Sequence, residues 1–322
     1  MSVRFSTYQQ QALLSSALCF IAFLMLLVSP VSLAADKPLV FVSVSPQKYL
    51  LQKIAGDQVN IEVLVQPGHN PHSYDPSARQ MARLAKAQML MTTGVPFEQV
   101  WLPRISRLNS EMRLVDTLAG SASAKAAYIS RHDHHEDQPH DHEVHSSHDE
   151  HSHDHESHNH EGLDPHIWMD PMKALSQARI MTDALKELRP EAAEIFEQGY
   201  LSLASELKTL DHEVHELLEP YEGRTFMVFH PAWGHFAARY HLKQIAIEYQ
   251  GKSPSARQLV RLSETAKAEN IRVILVQEQF NQKPAERIAE NIGARVVKAD
   301  PLPENLPKAI RKLSEQLLES WH

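Results

Sequence analysis

The hydrophobic positions of the chain alternate between short β-rich runs and longer segments of helical periodicity. Runs such as 39–44 and 271–276 are dominated by apolar and β-branched residues, as buried strands are. The segments between such runs repeat their apolar residues at the spacing of an amphipathic helix. This alternation predicts βαβ units and parallel sheets. The predicted strands are 39–44, 59–65, 88–93, 225–229, 244–247, 271–276 and 295–297, and the predicted helices are 47–54, 77–85, 97–108, 255–269, 284–291 and 306–318.

A long stretch without strand-like runs separates the two groups of strands. Asp170 and Pro171 predict a helix start, because Asp caps a helix and Pro fits its first turn. Pro190 interrupts the pattern, and a second helix of about 40 Å follows to residue 218, at 1.5 Å per residue. We therefore expect an α/β fold with two Rossmann-like lobes joined by a long rigid helix. The predicted segments are an N-terminal lobe at 36–169, linking helices at 170–220 and a C-terminal lobe at 221–322.

Residues 1–35 have the pattern of a secretory signal. Arg4 is the only charged residue there, and a long apolar run and small residues follow it. We expect cleavage after Ala34 or Ala35 and a periplasmic location, with an uncleaved anchor as the alternative. Cys19, the chain's one cysteine, lies within the run. Disulfides and multi-cysteine metal sites are thereby excluded.

Residues 120–163 predict a disordered loop, because they contain almost no apolar side chains in their second half. Twelve of the chain's 21 histidines lie between His132 and His160, and the stretch to Glu161 holds ten acidic residues and no Lys or Arg. The formal net charge of −8 therefore comes from this stretch and not from the rest of the chain. The sequence has no basic stripe of the kind that binds nucleic acid. We expect this loop to bind metal loosely. Metal binding by the loop should weaken below pH ~6, because protonated imidazole cannot bind a metal ion and free imidazole has a pKa near ~6.5.

Three other histidines stand at predicted element boundaries. His72 lies in a turn-rich loop after the strand 59–65, His166 directly precedes the linking helix, and His230 ends the strand 225–229. Zn²⁺ suits imidazole nitrogen, and its sites often add a carboxylate. Asp300 is the best carboxylate candidate, although the residues alone are equally consistent with an ordinary turn aspartate.

Several motifs along the chain together identify a family. The chain resembles the periplasmic metal-binding subunits of bacterial ATP-binding-cassette importers for zinc and manganese (cluster A-I), over about residues 38–320. The resemblance implies two α/β lobes with the metal in the cleft between them, and it implies His72, His166, His230 and Asp300 as ligands. It also implies a membrane permease and a cytoplasmic ATPase as partners, with the chain itself a monomer. The motifs are Asn-Pro-His-Ser-Tyr-Asp-Pro-Ser at 70–77, Asp-Pro-His-Ile-Trp-Met-Asp-Pro at 164–171, His-Pro-Ala-Trp-Gly-His-Phe at 230–236, Gln279-Phe280 with Lys283 and Ala285-Glu286, and Asp-Pro-Leu at 300–302.

The chain departs from this family at three places. Many relatives have Glu-Pro-Gln-Phe where this chain has Gln-Glu-Gln-Phe at 277–280. His235 replaces a frequent Tyr, and it either packs or faces solvent as a helix residue or serves as an accessory ligand. Pro71 stands where some zinc-specific relatives carry a Glu. The fourth ligand is therefore either Asp300 or a water.

These features predict a periplasmic protein that captures Zn²⁺ and delivers it to an importer. Imidazole-rich donors favour zinc over manganese, which prefers oxygen ligands. The alternatives are a manganese or broad-specificity member of the same family, a secreted zinc metalloenzyme, and a metal buffer. No phosphate loop or nucleophile motif supports an enzyme. The segment 212–216 lacks the histidine spacing of a zinc protease and predicts a charged helix face.

Overall fold

The computed structural model describes residues 36–118, 164–248 and 252–321. Of these described residues, those from Pro38 onward form one compact unit. The predicted signal at 1–35 and the predicted histidine-rich loop at 120–163 lie outside the described residues. Both remain predictions from the sequence.

Two four-stranded parallel sheets have the same strand order. In the first sheet the order is β2-β1-β3-β4, and in the second it is β6-β5-β7-β8. The strands are β1 (Leu39–Val42), β2 (Asn60–Val63), β3 (Met89–Thr92), β4 (Arg113–Asp116), β5 (Thr225–Val228), β6 (Lys243–Ala246), β7 (Val273–Val276) and β8 (Arg295–Lys298). In sheets of this kind, ligand sites form beyond the carboxyl ends of the central strands, here β1 with β3 and β5 with β7.

Helices connect the strands and cover the sheets. They are α1 (Ser45–Ala55), α2 (Ala78–Leu84), α3 (Pro96–Leu108), α4 (Pro171–Leu188), α5 (Ala193–Leu218), α6 (Gly234–Arg239), α7 (Ala256–Ala268), α8 (Lys283–Ile292) and α9 (Leu306–Trp321). Short 3₁₀ turns occupy Ile167–Met169, Pro190–Ala192 and Glu219–Tyr221. The predicted helices are all present, with ends within a few residues of those expected.

The linking helices form as the sequence predicts. Asp170 caps α4 by accepting hydrogen bonds from the backbone N–H groups of Met172 at 2.8 Å and Lys173 at 3.3 Å. The 3₁₀ turn at Pro190 separates α4 from the 26-residue α5. The fold class, two parallel-sheet α/β lobes with a long central helix, is confirmed. The exact domain boundaries stay predictions.

The central helix α5 contacts both lobes. Near its start Gly199 packs so closely on α1 that an added Cβ would collide with the backbone carbonyl of Ile54. Further along, Asp211 bonds Arg239 of α6 at 2.8 Å. A single cluster of buried apolar residues includes side chains from β1, α5, β5 and α9. None of the helices in the described ranges has the length and hydropathy needed to span a bilayer.

Candidate metal centre

His230 is fixed by residues that follow the two strands on either side of its own. It stands two positions after β5, and Glu248 stands two positions after the paired strand β6, where Val228 is opposite Ala246. Glu248 Oε1 lies 2.6 Å from His230 Nδ1, and both residues are buried. The Gln277 amide, just past β7, bonds the His230 backbone in both directions, at 3.0 and 3.3 Å. The Phe280 ring stacks on the imidazole with 4.9 Å between centroids.

His166 is held in a similar way by Asp164. Asp164 Oδ1 lies 2.7 Å from His166 Nδ1 and accepts the backbone N–H of His166 at 3.0 Å. The indole N–H of Trp168 donates to the carbonyl of Pro301 at 2.7 Å, which ties this segment to the C-terminal lobe. His166 is buried, with 6% of its surface exposed. Thus both buried histidines use Nδ1 for a carboxylate and keep Nε2 for another partner.

His72 comes from the N-terminal lobe, opposite His230, and lies on the turn that follows β2. Its backbone N–H donates to the Asn70 side chain at 2.9 Å, an Asx turn that shapes the loop. The Pro71 carbonyl accepts the N–H of Phe97 at 3.2 Å, which anchors the loop to α3. His72 thereby reaches the point where the two lobes meet.

The three predicted histidines lie together. His72 Nε2 is 3.2 Å from His230 Nε2. Two nitrogens bound to one tetrahedral Zn²⁺ at 2.0–2.1 Å would be about 3.3 Å apart, so this pair has ligand spacing. The His166 ring centroid is 5.4 Å from that of His230, compared with 4.7 Å between His72 and His230. In the part of the chain that the structure describes, no three His, Cys, Asp or Glu side chains form a complete metal-binding group as they stand.

The protonation of the site suits a cation. The pKa of His72 is lowered to about 4 by burial of the ring and by His230 and His166, although the residue as a whole remains exposed. Burial likewise lowers the pKa of His230, against the opposing effect of Glu248. Burial alone would raise the pKa of Asp164, but His166 and His235 bring it down to about 2. At neutral pH His72 and His230 are therefore neutral imidazoles and Asp164 is a carboxylate, the forms that accompany metal binding.

Asp300 lies beyond β8, but no hydrogen bond or ion pair among the described residues joins it to the histidines. Its Oδ1 accepts the backbone N–H of Leu302 at 2.9 Å, and burial raises its pKa. The neighbouring Gln279 has a buried Oε1 without a hydrogen-bond partner in the described structure. The set His72, His166, His230 and Asp300 stays a prediction, and the choice between Asp300 and water stays open.

Other residues singled out from the sequence lie elsewhere. His212 and His215 are exposed on α5, and His212 pairs with Glu216 at 3.3 Å, as a charged helix face predicts. Glu278 is an exposed partner of Lys298 at 2.8 Å, so the acid in this chain's 277–280 motif does not face the histidines. The partly buried His235 contacts Asp164 rather than solvent alone.

Sequence reasoning missed the two carboxylates that orient the histidines. A signal for Glu248 existed, because it follows a predicted strand next to the one that ends at His230. For Asp164 the signal was its place two residues before His166 within a recognised motif. Only the Glu248 contact required the pairing of β5 with β6 to be known, because Asp164 contacts a residue two positions away.

The fold and the histidines where the lobes meet define a class of two-lobed α/β binding proteins. Within this class, the family model for the periplasmic zinc-uptake complex component A, ZnuA, matches residues 40–317. The chain belongs to this family, which confirms the resemblance found in its motifs.

Individual relatives are consistent with this assignment. A crystal structure of ZnuA is 31% identical, with a TM-score of 0.73 over 88% of this chain and 99% of that one. A ZnuA deletion mutant with zinc bound is 32% identical, with a TM-score of 0.74 over 88% and 98%. The zinc-binding lipoprotein AdcA of Streptococcus pneumoniae (strain R6) is 28% identical over 83% of this chain and 50% of the relative. The chain thus spans about half the length of the curated relatives it matches.

Proposed function

We propose that this protein captures Zn²⁺ in the periplasm and delivers it to the permease of an ATP-binding-cassette importer, whose cytoplasmic ATPase drives uptake. The observation that carries the proposal is the 3.2 Å spacing of His72 Nε2 and His230 Nε2 across the two lobes. Zinc is the cargo rather than a catalytic cofactor. The ZnuA relative with zinc bound supports the choice of metal, and membership of the zinc-uptake family supports the transport role.

The donor set favours zinc over manganese. Imidazole nitrogens suit Zn²⁺, whereas Mn²⁺ is better matched by carboxylate and water oxygens. His166 and His230 each have a carboxylate on Nδ1. Such a partner raises the basicity of the imidazole and sets its orientation, as is usual around bound zinc. The proposed role is capture and release, so we propose no catalytic step.

A chelator-competition titration of the full chain with Zn²⁺ and Mn²⁺ tests this proposal. We expect one tight zinc site and much weaker manganese binding. Zinc affinity should fall in each of the variants His72→Ala, His166→Ala and His230→Ala. The loss should exceed the 10–100-fold typical of mutating a residue that only hydrogen-bonds a metal ligand. His215→Ala, an exposed histidine on α5, is the matched control and should retain full affinity.

Two results would contradict the proposal. Tighter binding of Mn²⁺ would favour the manganese alternative, and unchanged zinc affinity in all three variants would exclude this site. The transport role is tested separately by deleting the gene and measuring growth in zinc-depleted medium. Normal growth and zinc content there would favour a buffer over an importer subunit.

A further inference from the structure

His235 and Lys173 form a chain of contacts that ends at His166. Lys173 Nζ lies 2.6 Å from His235 Nδ1. His235 Nε2 lies 3.0 Å from the backbone carbonyl oxygen of Asp164 and 3.8 Å from Asp164 Oδ2. The Asp164 carboxylate in turn bonds His166 Nδ1 at 2.7 Å. Four residues from three parts of the fold are thus linked in series, with the backbone carbonyl of Asp164 as one of the contacts.

The partners determine which nitrogen of His235 carries the proton. A lysine ammonium has only donors, so His235 Nδ1 must accept from Lys173. The ring is then neutral with its proton on Nε2, and that N–H meets an acceptor, the Asp164 carbonyl. Both ring nitrogens are therefore already used. In this arrangement His235 has no lone pair for a metal ion, and it is not a free surface residue, since its side chain is 18% exposed.

The position of these residues indicates what the chain holds in place. His235 lies in α6 of the C-terminal lobe, and Lys173 lies in the first turn of α4. Asp164 belongs to the segment that carries His166, and His235 of α6 contacts it there. The neighbouring Gly234 lies so close that an added Cβ would be 3.0 Å from Asp164 Oδ2. Together with the Trp168–Pro301 bond of 2.7 Å, His235 attaches this segment to the C-terminal lobe at a second point.

We propose that His235 is a positioning residue for zinc capture, and that Lys173 sets its tautomer. By holding Asp164, His235 keeps His166 beside His230 before the ion arrives. The site then loses less conformational freedom on binding, which increases affinity without adding a ligand. This inference rests on the proposed function, because it needs His166 to bind zinc.

The test compares His235→Leu with His235→Gln by zinc titration against a chelator. Leu removes both hydrogen bonds and should weaken zinc binding roughly tenfold, the lower end of the range for outer-shell partners. Gln offers an amide oxygen to Lys173 and an amide N–H to the Asp164 carbonyl, so it should restore most of the affinity. The absorption spectrum of bound Co²⁺ should be the same in all three proteins, since no ligand changes.

A double-mutant cycle tests the role of Lys173. Lys173→Met should weaken zinc binding in the same direction, and the His235→Leu/Lys173→Met double variant should lose little more than His235→Leu alone. Lys208→Met, at an exposed position on α5, is the matched control. Thermal unfolding of the zinc-free variants identifies any that have lost their fold.

The outcomes separate the inference from the function it rests on. A wild-type chain with one tight site and an unaffected His235→Leu variant would overturn the inference alone. Failure of Gln to restore affinity, together with an altered Co²⁺ spectrum, would instead make His235 a ligand. A wild-type chain without a tight zinc site would overturn the proposed function itself.

Discussion

At the scale of single residues, the candidate site depends on which nitrogen each histidine leaves free. His230 and His166 bond Glu248 and Asp164 through Nδ1, at 2.6 and 2.7 Å. A carboxylate on Nδ1 keeps the proton there and turns the Nε2 lone pair outward. Neither contact adds a ligand, yet both determine where a bound ion would lie.

Replacing Glu248 by Gln tests this orienting role. Gln retains a hydrogen-bond acceptor but removes the charge that increases the basicity of His230. We expect zinc affinity to fall about 10–100-fold with the stoichiometry unchanged. Isothermal titration with a competing chelator measures both quantities. Glu264→Gln, at an exposed position on α7, should show no change, and an equal loss there would make the effect one of net charge.

Glu98 on α3 predicts a pH dependence of stability away from the histidines. Its carboxylate accepts the N–H groups of Thr93 at 2.9 Å and Gly94 at 2.8 Å. Burial nevertheless raises its pKa from 4.5 to about 7, with a smaller contribution from Asp116. Between pH 4.5 and about 7, Glu98 is therefore protonated in the native state but ionised in the unfolded chain. The resulting stability is complete below pH 4.5 and is lost as the pH rises through 7.

Glu98→Gln should remove that pH dependence. Relative to wild type, the unfolding free energy of the variant should improve by about 1–3 kcal/mol between pH 5 and 8. Urea unfolding of the zinc-free protein at several pH values measures this difference. A difference that stays constant with pH would show that Glu98 is ionised throughout.

At this scale, histidines flanked by turn residues could be singled out from the sequence, whereas contacts that join distant segments could not. His72, His166 and His230 all adjoin an element boundary in the sequence, and the structure brings their rings together. The link from His235 to Asp164 spans 71 positions. No local pattern contains such a contact, because it depends on how α6 packs.

At the scale of elements, the close crossing of α1 and α5 depends on Gly199. The adjoining contacts reinforce it, since Glu206 bonds Tyr49 and Lys53 of α1, each at 2.9 Å. Helical propensity alone would favour Ala over Gly by about 1 kcal/mol. The carbonyl of Ile54 leaves no room for a methyl group, so sterics should outweigh propensity.

Gly199→Ala should therefore destabilise the protein by roughly 1–3 kcal/mol, the usual effect of overpacking. Ser202→Ala, on the exposed side of the same helix, should be neutral or slightly stabilising. Chemical unfolding of both zinc-free variants provides the comparison. A more stable Gly199→Ala variant would show that the two helices separate easily.

Elements with a recognisable apolar pattern were predictable, whereas β4 and α6 were not. The strand β4 has only Leu114 and Val115 as apolar residues and lies at the edge of its sheet, so its sequence carries little strand pattern. The helix α6 has six residues, too few for a helical period. Both become evident only from pairing or packing with neighbours.

At the scale of the whole molecule, a shared core limits how far the lobes can move. One cluster of buried side chains includes Phe41 of β1, Leu207 of α5 and Phe226 of β5. A wide hinge motion would expose part of this apolar surface, at roughly 25 cal/mol for each Å². We therefore expect zinc binding to adjust the lobes only slightly.

Small-angle X-ray scattering of the zinc-free and zinc-loaded protein checks this expectation. The two profiles should give the same radius of gyration within error. A large compaction on zinc addition would require the core between the lobes to open. Zinc added to a His230→Ala variant controls for changes outside the candidate site.

In the proposed site, His72, His166 and His230 hold one zinc ion between the lobes. Anomalous X-ray scattering at the zinc edge, from crystals of the zinc-loaded full chain, tests it most directly. We predict one dominant peak within about 2.0–2.1 Å of the Nε2 atoms of all three histidines. The same map would show whether Asp300 or a water completes the site. A dominant peak elsewhere, or one that contacts fewer than three of these nitrogens, would contradict the account.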